Sequence, residues 1–256
     1  MEHFISSESD EVTNFSELIL SVLDANNQKI DTLKNTYVIG GSSDKRLKSF
    51  DEFLGLEITD IEINEALSRD DDTAFIMYTS GTTSNPKGCP LSHNNMMHAT
   101  KAMMERWSIS KDDVFWDPLP MFHMSSILPF SACLVAKSPF ISTIHFDPDE
   151  SLKVLEEAGV TIAFPAFPAV MLALVNHPEF SASKLSKIRI INNVAPVETL
   201  RSFQEALPEA KQVSAYGLTE ASGVCSYGSP DDPLEKRITT CGKPFKGIEF
   251  RIIDPE

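Results

Sequence analysis

Residues Tyr78 to Gly88 read YTSGTTSNPKG, which packs five serine and threonine hydroxyls, two glycines, a proline and a lysine between an apolar run and a helix start. This is chemistry for holding phosphates. Thr79, Ser80, Thr82, Thr83 and Ser84 offer hydroxyl donors, Gly81 and Gly88 let backbone N–H groups approach an anion, and Lys87 brings a mobile positive charge. The P-loop of nucleotide hydrolases needs the order G-x-x-x-x-G-K-S/T. Here Lys87 precedes Gly88 and no hydroxyl follows it, which disfavours a Walker-type ATPase.

Outward from this loop, Thr73 to Tyr78 is a compact β-type run, and Ser92 offers an N-cap to a helix reaching Trp107. Strand, loop, helix is the expected order. Met96, Met103 and Met104 fall on or near one face of that helix and read as core filler. Further along stand PLPMFH ending at His123, NNVAP ending at Pro196, YGLTE from Tyr216 to Glu220, and GKPFKGIEFRIID from Gly242 to Asp254.

Together, in this order, the five elements resemble the acyl-adenylate-forming superfamily of acyl-CoA synthetases, luciferases and peptide-synthetase adenylation domains. The resemblance covers about residues 34 to 256. It implies an α/β fold, the large domain of an adenylate-forming enzyme with parallel-type sheets flanked by helices and a small β subdomain, incomplete at both ends. It also implies ATP-dependent activation of a carboxylic acid, fatty or other, through an acyl-adenylate, followed by transfer to coenzyme A. ATP, magnesium and coenzyme A are the cofactors and co-substrates so implied.

The resemblance distributes roles over the site. Thr79, Ser80, Gly81, Thr82, Thr83, Ser84 and Lys87 hold the β- and γ-phosphates. Val194, Ala195 and Pro196 run along the adenine, Tyr216 and Gly217 lie against it, Thr219 meets the α-phosphate, Glu220 binds magnesium, and His123 lies near the acyl carboxylate. Lys87, His123, Thr219 and Glu220 are the expected catalytic set. Residue chemistry agrees, since an aromatic face, a hydroxyl donor and a hard oxygen ligand suit adenine, phosphate and magnesium. Asn192-Asn193-Val194 departs from the glycines usual in relatives. Asparagine tolerates φ > 0, which keeps the turn available, while valine narrows the approach. Phe122 and Met124 are expected to pack while His123 reaches the cleft, and His93 and His98 read as structural. Acyl-pocket candidates are Ser125-Ser126, the run Phe164 to Phe167, and Ala221 to Val224.

Short apolar runs at 114–116, 140–144, 160–164, 188–191 and 212–215 alternate with helical patterns near 126–136, 150–157, 169–175 and 197–207. Such alternation points to a parallel sheet. Phe15 to Leu23 has helical spacing, Thr36 to Ile39 reads as a strand, and Ile248 to Ile253 reads as a strand pairing with Val224–Tyr227. The expected divisions are 1–72 as the tail of a first α/β subdomain, 73–222 as the nucleotide-bearing subdomain, and 223–256 as the start of a β subdomain.

The 256 residues are 42% hydrophobic and 23% charged, an ordinary balance for a soluble globular chain. A net charge of −15 argues against nucleic acid and anionic membranes as partners, since both require a basic surface. The charge is uneven, with a balance of −11 over residues 1–72 and −4 over the rest, so the motif-bearing part is nearly neutral and suits polyanionic ATP. Cys89, Cys133, Cys225 and Cys241 lack C-x-x-C spacing and read as reduced thiols. No apolar run reaches the ~20 residues of a membrane span, and no leader is visible, so a cytoplasmic location is expected.

The resemblance extends, in relatives, to a ribose-binding aspartate and a small C-terminal domain with a catalytic lysine, which have no counterpart before Glu256. This chain by itself is therefore expected to bind ATP weakly and turn over little. The alternatives are a non-catalytic nucleotide-binding remnant and an adenylation domain that loads a carrier protein.

Overall fold

The computed structural model describes residues 3–7, 13–25, 30, 33–40, 42–55, 68–80 and 85–254. The chain forms two compact units, residues 1–65 and 66–256.

In the first unit, β1 (His3–Ser7), α1 (Phe15–Ala25), β2 (Asn35–Ile39), β3 (Lys48–Ser49) and α2 (Phe50–Leu54) build a three-stranded parallel sheet, in order β1-β2-β3, with two helices. Both the α1 helix and the β2 strand follow the apolar spacing of the sequence. Ser49 opens α2 with a capping box, its hydroxyl accepting from Asp51 while Glu52 accepts from the Ser49 amide.

The second unit begins with β4 (Thr73–Thr79), β5 (Lys87–Ser92) and α3 (His93–Trp107). The expected order of strand, loop and helix is corrected here: β5 lies between the hydroxyl loop and the helix and pairs antiparallel with β4, with Thr79 opposite Lys87. β4 and β5 are thus the two arms of a hairpin. Pro90 disguised β5, because proline donates nothing to a ladder and is confined to edges such as this two-stranded sheet provides. Ser92 caps α3 as expected, accepting from the Asn95 amide at 3.2 Å.

There follow β6 (Phe115–Trp116), α4 (Met124–Ala136), β7 (Phe140–Ile141), α5 (Pro148–Glu157), β8 (Ile162–Ala166), α6 (Pro168–Val175), β9 (Ile190–Asn193), α7 (Val197–Ala206) and β10 (Lys211–Val213). All five strands are parallel, in the order β10-β9-β8-β6-β7. Alternation along each strand divides the interior into two cores. Phe115, Ile162, Phe164 and Ile190 face α3 and α4, whereas Trp116, Ala163 and Ile191 face α5, α6 and α7. The first core closes around Trp107, fully buried, its ring 4.3 Å from that of Tyr227 and its indole N–H donating to the Gly228 carbonyl.

A small sheet completes the unit. β11 (Ala215–Tyr216), β12 (Ser226–Tyr227) and β13 (Lys243–Pro244) pair antiparallel in that order, with α8 (Leu234–Thr239) between the last two strands. The partner of β12 is therefore residues 243–244 and not 248–253. The latter segment is not a strand, and Ile252 is fully exposed. Its partial alternation met no ladder partner, because Gly247, at φ 87°, turns the chain after Phe245. Arg106 pins the small sheet to α3 by donating to the carbonyls of Tyr227, Lys243 and Pro244. Among the described residues no helix is long and apolar enough to cross a membrane.

Candidate functional site

Open α/β sheets bind ligands outside the carboxyl ends of their strands. At that end of β8 and β9 lies a cleft of about 340 Å³. Its walls come from the start of α4 (His123, Met124, Ser125), the end of β8 (Phe164, Ala166, Phe167), the end of β9 (Asn192, Val194) and the segment 215–224 (Ala215 to Thr219, Gly223, Val224). His123, Val194, Tyr216, Gly217 and Thr219, far apart in sequence, thus meet in one cavity. So do Ser125, Phe164, Ala166, Phe167, Gly223 and Val224 from the acyl-pocket candidates.

His123 occupies the N-cap position of α4 but makes no side-chain cap bond, so its ring is left for the cleft while its carbonyl accepts from Ser126 and Ile127. Met124 packs in the core as expected. Phe122 does not: it is 75% exposed, with its ring 5.2 Å from that of His123. Beneath this turn Asp117 is fully buried, with Oδ1 accepting from the Leu119 amide at 2.8 Å and the Ser126 hydroxyl lying between its carboxyl and Met121 Sδ. Burial pushes the Asp117 carboxyl well above the usual carboxylate range.

Val194 follows β9 in extended continuity, its amide donating to the Ala166 carbonyl at 2.8 Å. No positive φ is used at Asn192, Asn193 or Val194, which corrects the expectation for this turn; the left-handed residue here is Ala166, at φ 53°. The Val194 side chain borders the cleft, whereas Ala195 and Pro196 do not line it, and Pro196 serves as the N-cap of α7. Asn192 lines the cleft floor, although the sequence marked it only as a replacement for glycine.

Tyr216 is half exposed, with its ring set edge-on to Phe250 at 5.9 Å. Residues 216–225 close on themselves: Ala221 and Gly223 amides donate to the Leu218 carbonyl, Ser222 to Thr219, and Cys225 to Tyr216. A 3₁₀ turn at Thr219–Ala221 results. It sets Thr219 on the cleft wall and Glu220 outside it, beside the hairpin, since β5 packs against this turn and the Glu220 charge reaches Cys89. Burial first, and then Glu220, push the Cys89 thiol upward. Lys87 is exposed at the start of β5. Thr79 ends β4 and Ser80 follows it, and Gly81, Thr82, Thr83 and Ser84 lie outside the described residues.

His93 and His98, which the sequence left without partners, both have one: His93 Nε2 lies 3.3 Å from Ser68 Oγ, and His98 Nε2 lies 2.9 Å from the Lys246 carbonyl. No group of three or more His, Cys, Asp or Glu side chains among the described residues is arranged to hold a metal ion.

The AMP-binding enzyme family matches residues 7–256. The chain belongs to this family. Among curated relatives, 4-coumarate-CoA ligase 1 of Narcissus pseudonarcissus is 32% identical over 215 residues, covering 80% of this chain and 39% of the ligase. The 4-coumarate-CoA ligase 5 of Oryza sativa subsp. japonica is 30% identical over 234 residues, covering 86% of this chain and 42% of the ligase. The chain thus spans about two fifths of the length of such relatives. Among solved structures, ATP-bound MatB from Rhodopseudomonas palustris superposes with a TM-score of 0.78 at 23% identity, over all of this chain and 47% of that one. That likeness establishes the fold as the adenylate-forming α/β architecture of this family.

Proposed function

We propose that this chain carries the nucleotide- and acid-binding face of an acid–thiol ligase. A carboxylate oxygen attacks the α-phosphorus of ATP, the bond to the bridging oxygen of the β-phosphate breaks, and pyrophosphate leaves. The thiol of coenzyme A, as thiolate, then attacks the carbonyl of the mixed anhydride and AMP departs. The convergence of His123, Val194, Tyr216, Gly217 and Thr219 on one cleft, with Lys87 and Glu220 on the neighbouring hairpin and turn, carries this reading.

Charge builds on both sets of phosphate oxygens in such a displacement, and preorganised donors stabilise it. Thr219 is the donor for the α-phosphate, and Tyr216 and Val194 flank the adenine. Thr79 to Lys87 receive the leaving pyrophosphate. His123 orients the acid between Phe167 and Val224, where the wall is largely apolar. Glu220 is the carboxylate that fits magnesium beside the hairpin, a cation commonly bound by one or two carboxylates together with substrate phosphates. The names of the relatives support coenzyme A as the acceptor.

Acid-dependent exchange of pyrophosphate into ATP, measured on the full-length protein, tests the reading. Exchange that requires an acid supports it; no exchange with any of a panel of aliphatic and aromatic acids overturns it. The chain by itself is expected to bind ATP weakly and to exchange little.

A further inference from the structure

The side chains of β9 alternate between two worlds. Ile190 joins the core beneath α3 and α4, and Asn192, two residues on, lines the cleft; Ile191 joins the core beneath α5 to α7, and Asn193 shares that side. Asn193 is fully buried and its Nδ2 donates to Gln212 Oε1 at 2.8 Å. The Gln212 backbone N–H donates to Gln204 Oε1 at 3.2 Å. Arg237 Nη1 donates to that same Gln204 oxygen at 2.8 Å and to the Gln212 carbonyl at 2.6 Å, while its Nε donates to the Asp232 carbonyl at 3.0 Å.

Gln204, Gln212 and Arg237 are buried as well. Among the described residues the guanidinium is hydrogen-bonded only to neutral oxygens, since the Asp232 carboxylate pairs with Lys236 at 2.6 Å. A buried cation without a bonded anion is costly, and an apolar side chain of similar volume would pack there more cheaply. What the cation supplies is direction: it ties the Gln204 side-chain oxygen to the Gln212 backbone, and so holds in place the residue whose side chain donates to the Val213 carbonyl at 2.6 Å and accepts from Asn193. Asn193 is the residue before Val194, so its orientation sets how the turn leaves the sheet at the cleft.

We propose that the relay Arg237–Gln204–Gln212–Asn193 positions Val194, where the chain leaves β9 at the cleft, against nucleotide, with Arg237 as a remote positioning residue. The proposal rests on the nucleotide reading of the cleft given above. Asn193 Oδ1 is buried without a hydrogen-bond partner, so the Nδ2 bond to Gln212 is the side-chain contact that orients Asn193, and coupling of this kind changes ligand affinity without contact to ligand.

The test uses the 256-residue chain, a fluorescent N-methylanthraniloyl ATP, thermal melts, and the side-chain amide resonances of Asn193. Arg237→Met is expected to raise Kd at least about fivefold and to shift the Asn193 amide signals, with Arg237→Lys restoring most of the affinity. Arg189→Met is the control, because its guanidinium pairs with Asp113 at the opposite, amino end of the same sheet. It is expected to lower the melting temperature comparably and leave Kd unchanged. Equal weakening by both variants, or an unchanged Kd in folded Arg237→Met, overturns the relay. If Arg237→Met fails to fold, Gln212→Met cuts the same relay nearer the cleft and is held to the same criteria. Absence of nucleotide binding in the unsubstituted chain overturns the functional reading and the relay with it, whereas binding that no relay substitution alters overturns the relay alone.

Discussion

Gly217 passes so close to Gly223 that a Cβ on Gly217 would sit 1.9 Å from the Gly223 carbonyl oxygen. Gly223 itself is at φ 102° and follows Ser222 at φ 62°. The tyrosine-to-glutamate segment therefore folds back on its own continuation, and this contact sets Thr219 on the cleft while turning Glu220 toward the hairpin.

Gly217→Ala forces this contact apart. The expected outcome is loss of nucleotide binding with a drop of several degrees in melting temperature, because backbone carbonyl atoms cannot move aside as a side chain does. Titration with ATP and a thermal melt of the variant check both parts. An unchanged Kd removes the loop from the site.

Asp117→Asn tests the buried carboxyl. The folded-state value lies above the unfolded one, so the unfolded chain ionises first as pH rises, and stability falls from about pH 4 upward until the folded carboxyl also titrates. The asparagine variant keeps the acceptor for the Leu119 amide and loses this dependence. Its stability relative to the parent chain is expected to grow between pH 4 and pH 7, read from urea unfolding at each pH. A difference that does not change with pH contradicts the assignment.

Trp107→Ala removes the largest side chain of the core beneath α3 and α4, together with the indole bond to Gly228. A loss of about 3–5 kcal/mol is expected. A folded variant within about 1 kcal/mol of the parent would mean that the core closes elsewhere.

The parallel sheet was legible because each apolar run is short, bounded by turn residues and followed by a helical pattern; all five strands and the four helices between them appear where periodicity puts them. The hairpin was not, since Gly88 and Pro90 argue against a strand unless its partner is known. Nor was α8, a single short turn of mostly polar residues after Pro233. Within the candidate site, the family resemblance pointed to His123, Val194, Tyr216, Gly217 and Thr219, which the fold brings to one cleft. It could not show that Asn192 floors the cleft or that Asn193 is tied to Arg237, because those contacts join positions distant in sequence with no local signal. Alternation misled at 248–253, where the pattern exists and the ladder partner does not.

Lys87 and Glu220 are both exposed, so their removal separates function from folding. Lys87→Ala and Glu220→Ala, in the full-length protein, are expected to lower acid-dependent pyrophosphate exchange at least about tenfold while the melting temperature stays within a degree or two. Full exchange in both variants would contradict their roles.

The most direct test of the nucleotide reading is a crystal of this chain soaked with ATP and magnesium. Adenine is expected beside Tyr216 and Val194, the α-phosphate within hydrogen-bond reach of the Thr219 hydroxyl, and the triphosphate tail running toward the hairpin between Thr79 and Lys87. Nucleotide bound elsewhere, or a tail directed away from Lys87 and Glu220, would contradict it.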